Sequence, residues 1–383
     1  MKIFINKTII LFILLCLPMT FCGCWDYIEM HDITFAAGIC IDKDKFTNEY
    51  ILTIETLKTS TNGEKINSDI NQGRGKTLHT ALRDAIKETG KQIQVSHMKV
   101  VIVSQDIAKD GIGSIIDLMN RDVEVRNDMW ILVSQMNTAS EIFTKGKESD
   151  EILSYRLSDN ISNYNKIGKY SATEVFKLLD NITTKGTSAT VPMVKLSNTK
   201  NKSDVEVINT AVFRGDNMVG KLTENENMVL QLLKEKKTKF SIPISLSNNM
   251  NISLELMNVK RKTNIKINDG KISMDIYLDI DTALSELPET KINFVSNPQK
   301  NKVKEESEKH IKSQADELIQ NLQKKYKTDA IGTGQILSKK KSKYWKKLSG
   351  NWNNTFESIN INVFPTVNIK YSGAINKNVK VAD

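Results

Sequence analysis

The sequence predicts an α+β protein of two or three domains, with mixed and antiparallel sheets flanked by helices and a long C-terminal helix packed on a sheet. Three observations carry this. The first half alternates short apolar runs with helical stripes, the pattern of layered α/β structure. The second half shows consecutive strands of period two, followed by one long amphipathic stretch. The chain has 383 residues, more than one core of ordinary size normally holds.

Residues 1–23 stand apart. Lys2 and Lys7 precede an apolar run over 9–17, which ends at Pro18-Met19-Thr20. That is the basic start, apolar centre and small-residue exit of an export signal. The run is shorter than the roughly 20 apolar residues a bilayer crossing needs, so cleavage is expected rather than a permanent span. Gly23-Cys24 then offers a thiol at the membrane surface, where diacylglyceryl transfer and cleavage before Cys24 would leave a lipid anchor. Phe21 occupies a place usually held by an aliphatic residue in such signals. A plain secretory signal with an unmodified cysteine is the other reading.

Taken in order, residues 33–41 and 50–57 read as strands linked through Asp42-Lys43-Asp44-Lys45. The polar stretch 59–75 reads as a loop. Residues 77–89 are helical, with Leu78, Leu82, Ala85 and Ile86 on one stripe. Strand 100–103, helix 112–119, strand 129–133 and helix 139–143 continue the alternation. The pattern is helical from 148 to 180, with Ser171 expected to cap 172–179, and 190–194 reads as an edge strand because Pro192 cannot donate to a ladder. The polar stretch 197–204 is the expected boundary. It divides an N-terminal α/β region, 24–196, itself expected as two sub-domains, from a C-terminal α+β domain, 205–383.

In that second domain, 205–213 and 218–222 flank Arg214-Gly215-Asp216-Asn217, which is hairpin-turn chemistry rather than an adhesion signal. Helix 224–234 and strands 240–246, 252–259, 264–267 and 271–280 follow. Ile272, Met274, Ile276, Leu278 and Ile280 alternate, which buries one face. Asn297 and Pro298 start the long helix 298–327, with Glu305–Lys309 and Glu308–Lys312 as favourable i,i+4 pairs. A second helix begins near Asp329, and 359–371 closes the chain as a strand broken at Pro365.

Composition narrows function. The net charge is +9, and loss of Lys2 and Lys7 with the signal leaves +7. Lysines are spread among Glu and Asp, so a basic face on an anionic membrane is open, whereas nucleic-acid binding is not expected of an exported, anchored chain. Of four cysteines, Cys16 and Cys22 leave with the signal and Cys24 carries lipid; Cys40, in an apolar run, is expected as a buried thiol. His31, His79, His97 and His310 lie far apart without ligand spacing, so no metal is expected. Gly73-Arg74-Gly75-Lys76, Gly111-Ile112-Gly113 and Gly332-Thr333-Gly334 complete no nucleotide fingerprint. No nucleophile elbow or paired carboxylate argues for catalysis, and no cofactor is expected. Tyr344, Trp345, Trp352 and Phe356 face either the core or a partner or membrane surface.

Five stretches carry a resemblance that runs along the whole mature chain. Cys24-Trp25-Asp26 with Glu29-Met30 resembles the Gly-Cys-Trp-Asp-x-x-Glu-Ile start of the Ger(x)C family, the lipoprotein C subunits of spore germinant receptors. Residues 96–103, 211–222 and 329–334, and Tyr344-Trp345-Lys346-Lys347 through Trp352 to Phe356, are similar to its later signatures. Met30 replaces the usual Ile. The resemblance implies a three-domain α+β lipoprotein on the outer face of the inner spore membrane. It implies assembly with two polytopic membrane subunits, and nutrient binding that leads to release of ions and dipicolinic acid. The family has no established catalytic site, so Cys24 is the residue with a defined chemical role. Trp25, Asp26 and Glu29, beside the anchor, are expected to orient the first domain on the membrane or a partner. A solute-binding lipoprotein of a transporter is the alternative, which two α/β lobes around a cleft would favour.

Overall fold

The computed structural model describes residues 29–59, 66–121, 124–146, 151–199, 202–234, 239–246, 251–286 and 297–371. Among these, the first lobe runs β1 (Ile33–Lys43), β2 (Tyr50–Thr59), β3 (Ile66–Gly75), α1 (Leu78–Asp84), α2 (Ile86–Thr89), β4 (Gln92–Gln94) and β5 (Val100–Val103). It continues through α3 (Gln105–Asp110), α4 (Gly113–Arg121), β6 (Trp130–Ser134), α5 (Ser140–Gly146), α6 (Leu153–Ser162), α7 (Tyr164–Ile167) and α8 (Val175–Thr183) to β7 (Thr190–Thr199), β8 (Lys202–Arg214) and β9 (Asn217–Leu222). The second lobe holds α9 (Glu224–Leu233), β10 (Ser241–Ser245), β11 (Asn251–Asn268), β12 (Lys271–Glu286), α10 (Asn297–Gln320), α11 (Thr333–Lys340), α12 (Ser342–Leu348), α13 (Trp352–Phe356) and β13 (Asn360–Tyr371).

The first nine strands form one sheet in the order β3-β2-β1-β5-β6-β7-β8-β9, with β4 beside β1. Its centre, β1-β5-β6-β7, is parallel, and hairpins extend it on both sides. Every residue of Val100–Val103 is buried, as a strand covered on both faces requires. Val101 and Val103 join a core with Ile107, Ile116 and Leu178, while Val100 and Ile102 face Phe143, Leu157 and Ile161. These are two faces of one sheet, not the two sub-domains expected within 24–196. Cys40 lies in the second of these cores, and burial is the main cause holding its thiol well above the ordinary range.

The second sheet, β10-β11-β12-β13, is antiparallel except for its last pair. Its inner face, including Met274, Ile276 and Leu278, packs against Ile311, Leu318 and Leu322 of the long helix and the turn after it. Val212 and Leu222 of the first sheet enter this same core, so the lobes share apolar interior.

Several expectations change. The stretch expected as a loop contains β3, a polar edge strand held by cross-strand bonds such as Asn71 Nδ2 to Thr56 Oγ1 at 2.7 Å. Apolar periodicity gives no warning of such a strand. The stretch 197–204 lies within the β7–β8 hairpin, and 205–222 complete the first sheet. β7 is interior, not an edge; Pro192 is accommodated where the pairing with β8 shifts register, at a bulge. Strands 252–259 and 264–267 are one strand, β11. Pro365 does not break β13, because β13 pairs on one side alone and a missing donor there costs no ladder bond. The helix expected over 172–179 starts at Val175 with Glu174 at its cap, and Ser171 is buried elsewhere. In α10, Glu308 accepts from the Val367 backbone N–H of β13 at 2.8 Å, and Lys312 pairs with Asp316. Glu308 thus ties the helix to the sheet edge, and Lys302–Glu306 and Lys312–Asp316 are i,i+4 pairs along it.

Two long-range bonds position the helices of the first lobe. Glu55 on β2 is fully buried and accepts from Leu153 N, Ser154 N, Ser154 Oγ and Ser68 Oγ at 2.6–2.9 Å. Asp42 on β1 accepts from Ala139 N at 2.6 Å and Ser140 N at 2.9 Å. Each carboxylate satisfies orphan donors at a helix start from a distant strand. Removing Glu55 strands four buried donors. Glu55→Ala is expected to lower unfolding free energy by about 3 kcal/mol in urea titration of the purified mature chain, with Glu55→Gln intermediate.

Candidate functional site, a buried joint between the two lobes

Cys24, Trp25 and Asp26 lie outside the described residues. Glu29 is exposed and precedes a single helical turn, Met30–Asp32, which leads directly into β1. His31 Nδ1 lies 3.0 Å from Glu29 and its Nε2 3.3 Å from Asp32. These three side chains bring possible ligand atoms together, all on the surface. Exposed acidic turns of this kind are common without an ion.

The organised chemistry lies elsewhere, around Asp329. In the segment from Leu318 to Phe356 it is the one acidic residue, and it is completely buried. Its Oδ1 accepts from Gly332 N at 2.8 Å and Thr333 N at 3.0 Å. Its Oδ2 accepts from Gly334 N, Thr333 Oγ1 and, at 2.9 Å, Trp352 Nε1. Burial pushes this carboxyl above the usual carboxylate range, and the donors oppose that push. One side chain therefore holds the start of α11 and fixes α13 through its first residue.

Local sequence makes room for this. Gly332 has φ +82°, a left-handed conformation that costs a side chain dearly. A Cβ on Gly334 would stand 2.5 Å from the Gly186 Cα and 2.6 Å from the Trp352 ring. The glycine pair thus serves close packing and not phosphate binding. Trp345 and Trp352 meet edge to face with centroids 5.2 Å apart.

The same segment grips the first lobe. The Asp329 carbonyl accepts from Ser188 N at 2.9 Å, and Gln335 N donates to Gly186 O at 2.9 Å. Thr328 Oγ1 lies 2.6 Å from Ser188 Oγ and 2.7 Å from the Phe213 carbonyl. Tyr326 donates to Lys221 O at 2.7 Å, and its ring fills the space above Gly220. Asn321 Nδ2 reaches Glu226 at 2.9 Å. Nearby, Asn227 of α9 accepts from Ser171 and Thr210 hydroxyls at 2.8 and 2.9 Å and donates to Gly168 O at 2.7 Å. Open clefts remain between the lobes. One, of about 840 Å³, lies along Val219–Thr223 and α10; another, of about 500 Å³, is lined by Lys177, Asp180, Arg261, Lys339 and Lys340; a third, of about 370 Å³, lies between residues 185–188 and 351–354.

The Arg-Gly-Asp turn is also structural. Asp216 accepts from Ile112 N and Gly113 N at 3.0 and 3.2 Å, and Asn217 donates to Lys109 O at 2.9 Å. This seats the β8–β9 turn on the start of α4.

Comparison with known proteins gives the lineage. Residues 26–196 match the model of the spore germination protein N-terminal domain, and residues 208–373 match the spore germination B3/GerAC-like C-terminal model. The chain belongs to the Ger(x)C family of spore germination proteins. It is 24% identical to the putative spore germination protein YfkR of Bacillus subtilis, covering 98% of this chain and 99% of that one. Spore germination protein B3 of the same organism is also 24% identical, over 93% and 94% of the two chains. The crystal structure of the GerBC protein shares the fold, with a TM-score of 0.55 at 18% identity, covering 90% of this chain and all of that one.

Within a Ger(x)C chain the joint gives three of the sequence signatures a physical meaning. The 211–222 stretch is the β8–β9 hairpin, 329–334 is the Asp329 turn, and Trp352 to Phe356 is α13; bonds through Thr328 and Asp329 join all three. Sequence reasoning passed over Thr328, Gly186 and Ser188. For Asp329 itself a signal existed, since a lone acid in a long apolar and basic stretch must find donors if buried.

Two outcomes follow for the joint. Asp329→Asn replaces an acceptor by an amide that faces donors, so it is expected to cost about 3 kcal/mol, against about 1 kcal/mol for Trp352→Phe, in thermal and urea unfolding. Tyr170 is buried with its hydroxyl donating to Asn160 O at 2.9 Å, and burial pushes its phenol up to about 12 from 10.0. The folded state therefore holds this proton more tightly than the unfolded chain. The stabilisation is complete below pH 10 and is lost as pH rises through about 12. Absorbance titration should show a phenol titrating near 12 that is absent in Tyr170→Phe.

Proposed function

We propose that this chain is a non-enzymatic, lipid-anchored subunit of a spore nutrient germinant receptor. On this reading Cys24 carries a diacylglyceryl group, with amide-linked palmitate or a similar acyl chain, after removal of 1–23. Lipid holds the body on the outer face of the inner spore membrane, beside two polytopic receptor subunits. Among the described residues no helix is long and apolar enough to cross a membrane, and on this reading the lipid on Cys24 supplies the attachment. Membership of the Ger(x)C family, in signatures that extend over both lobes, is the observation that supports this reading most.

The body suits a scaffold better than a solute trap. Solute-binding proteins close two lobes about a hinge, whereas here buried bonds and a shared core fasten the lobes together. The chain's role is then to present fixed surfaces to its partners, with Trp25, Asp26 and Glu29 orienting the first lobe where the anchor begins.

The test is nutrient-triggered release of dipicolinic acid from spores lacking the gene, complemented with wild type or Cys24→Ala. Wild type should restore release and Cys24→Ala should not, with the unlipidated chain lost from the membrane fraction. Full release in the null strain, with no redundant receptor present, would sink the proposal. Alanine variants of Trp25, Asp26 and Glu29 that assemble normally with the membrane subunits would remove their orienting role.

A further inference from the structure

Between Asp329 and Glu357 the charged residues are lysines alone: Lys339, Lys340, Lys341, Lys343, Lys346 and Lys347. Helix α12 displays three of them. Helical spacing puts Lys343, Lys346 and Lys347 on one exposed face, with Tyr344 beside them at 47% exposure. Trp345 and Leu348 lie opposite and pack on the second-lobe core. An apolar inner side fixes this helix to the body, and a basic outer side faces solvent.

Its position follows from topology. β1, β5, β6 and β7 are parallel, so their starts lie along one edge of the first sheet. The Trp345 ring abuts Gly186, just before β7, and the Glu29–Asp32 turn lies just before β1. Laterally the two points are three strand spacings apart, about 14 Å at 4.8 Å per strand, and β1 starts five residues before the point level with the start of β5. Lys91, Lys99 and Lys185 are exposed along the same edge. Of the acids there, Asp128 pairs with Arg126, while Glu29 and Asp32 flank His31 and keep the turn before β1 acidic. From Glu29 back to Cys24, five residues of chain span at most about 18 Å. A lipid on Cys24 would therefore hold this basic edge close to the headgroups.

We infer that the outer face of α12 is a second membrane contact, an electrostatic one, which lies on anionic phospholipid headgroups next to the lipid anchor. Lysines with neighbouring Tyr and Trp suit that interface, where ammonium groups meet phosphates and aromatic rings sit at headgroup level. A diacylglyceryl anchor already holds stably, so the basic patch acts on orientation and not on attachment. The contact also fixes which edge faces the bilayer and so which surfaces face partners. The orientation rests on Cys24 being the anchor, but the contact itself is testable without lipid.

The experiment uses residues 24–383 with Cys24→Ser, which keeps every described residue, and sediments the chain with vesicles. One set is phosphatidylcholine with a quarter phosphatidylglycerol, the other phosphatidylcholine alone. Binding should require the anionic lipid and weaken with salt. The triple variant K343Q/K346Q/K347Q should bind about tenfold more weakly or worse. A control triple on the outer face of the second sheet, K260Q/K262Q/K271Q, should stay within about twofold of wild type. All three chains should melt alike, since the changed side chains are exposed. Equal binding to both vesicle types, an equal loss in the control triple, or tighter capture by short duplex DNA than by anionic vesicles would overturn the inference. If spores carrying Cys24→Ala germinate normally while vesicle binding stands, the anchor reading fails and the basic contact survives.

Discussion

The structure depends on one buried carboxylate being satisfied. An ionised group cannot stay in an apolar interior unless donors replace its water. Asp329 finds five, and they come from its own turn, from the start of α11 and from the indole that opens α13. Because these donors must converge on two oxygen atoms, the segment from Thr328 to Trp352 has little freedom to close in another way. Its backbone is then presented to Gly186, Ser188 and Phe213 of the first lobe, and the two sheets are locked at that point.

The same solution is used twice more. Asp42 and Glu55, on neighbouring strands, each hold the start of a helix nearly a hundred residues away in sequence. Short helices are poor at nucleating alone, and their first N–H groups lack partners. A fixed carboxylate on a rigid strand supplies both a partner and favourable charge at the helix start. For Asp42, as for Asp329, burial pushes the carboxyl upward while the backbone donors pull it back, so each site is a balance of desolvation against hydrogen bonding. Such bonds fix geometry more than they add net stability. Fixed geometry keeps the two sheets, and the surfaces they carry, in one relation to each other.

Much of the architecture was legible because the core is patterned strongly. Val100–Val103, the alternating face of β12 and the stripe of α10 from Val303 to Ile319 read correctly, since period and burial agree there. The failures share a cause. β3 is held by Ser, Asn and Gln side chains, which carry no apolar period. Pro192 pointed to an edge strand and Pro365 to a broken one, yet a bulge and a one-sided partner accommodate them. Ser171 looked like a cap, but buried Asn227 outcompetes the nearby helix start for its hydroxyl.

By itself the sequence determined the α+β class, the lysines of α12 and the family signatures in their order, and it alone raises the expectation of an export signal and a lipid on Cys24. These are local properties, set by residue type and spacing. Tertiary structure alone decided that β7, β8 and β9 continue one sheet, that the lobes are fastened at Asp329, and that the α12 lysines share an edge with the start of β1. Each of those depends on which distant donor meets which acceptor, and on which strands run parallel. Neither is written in any single stretch of chain.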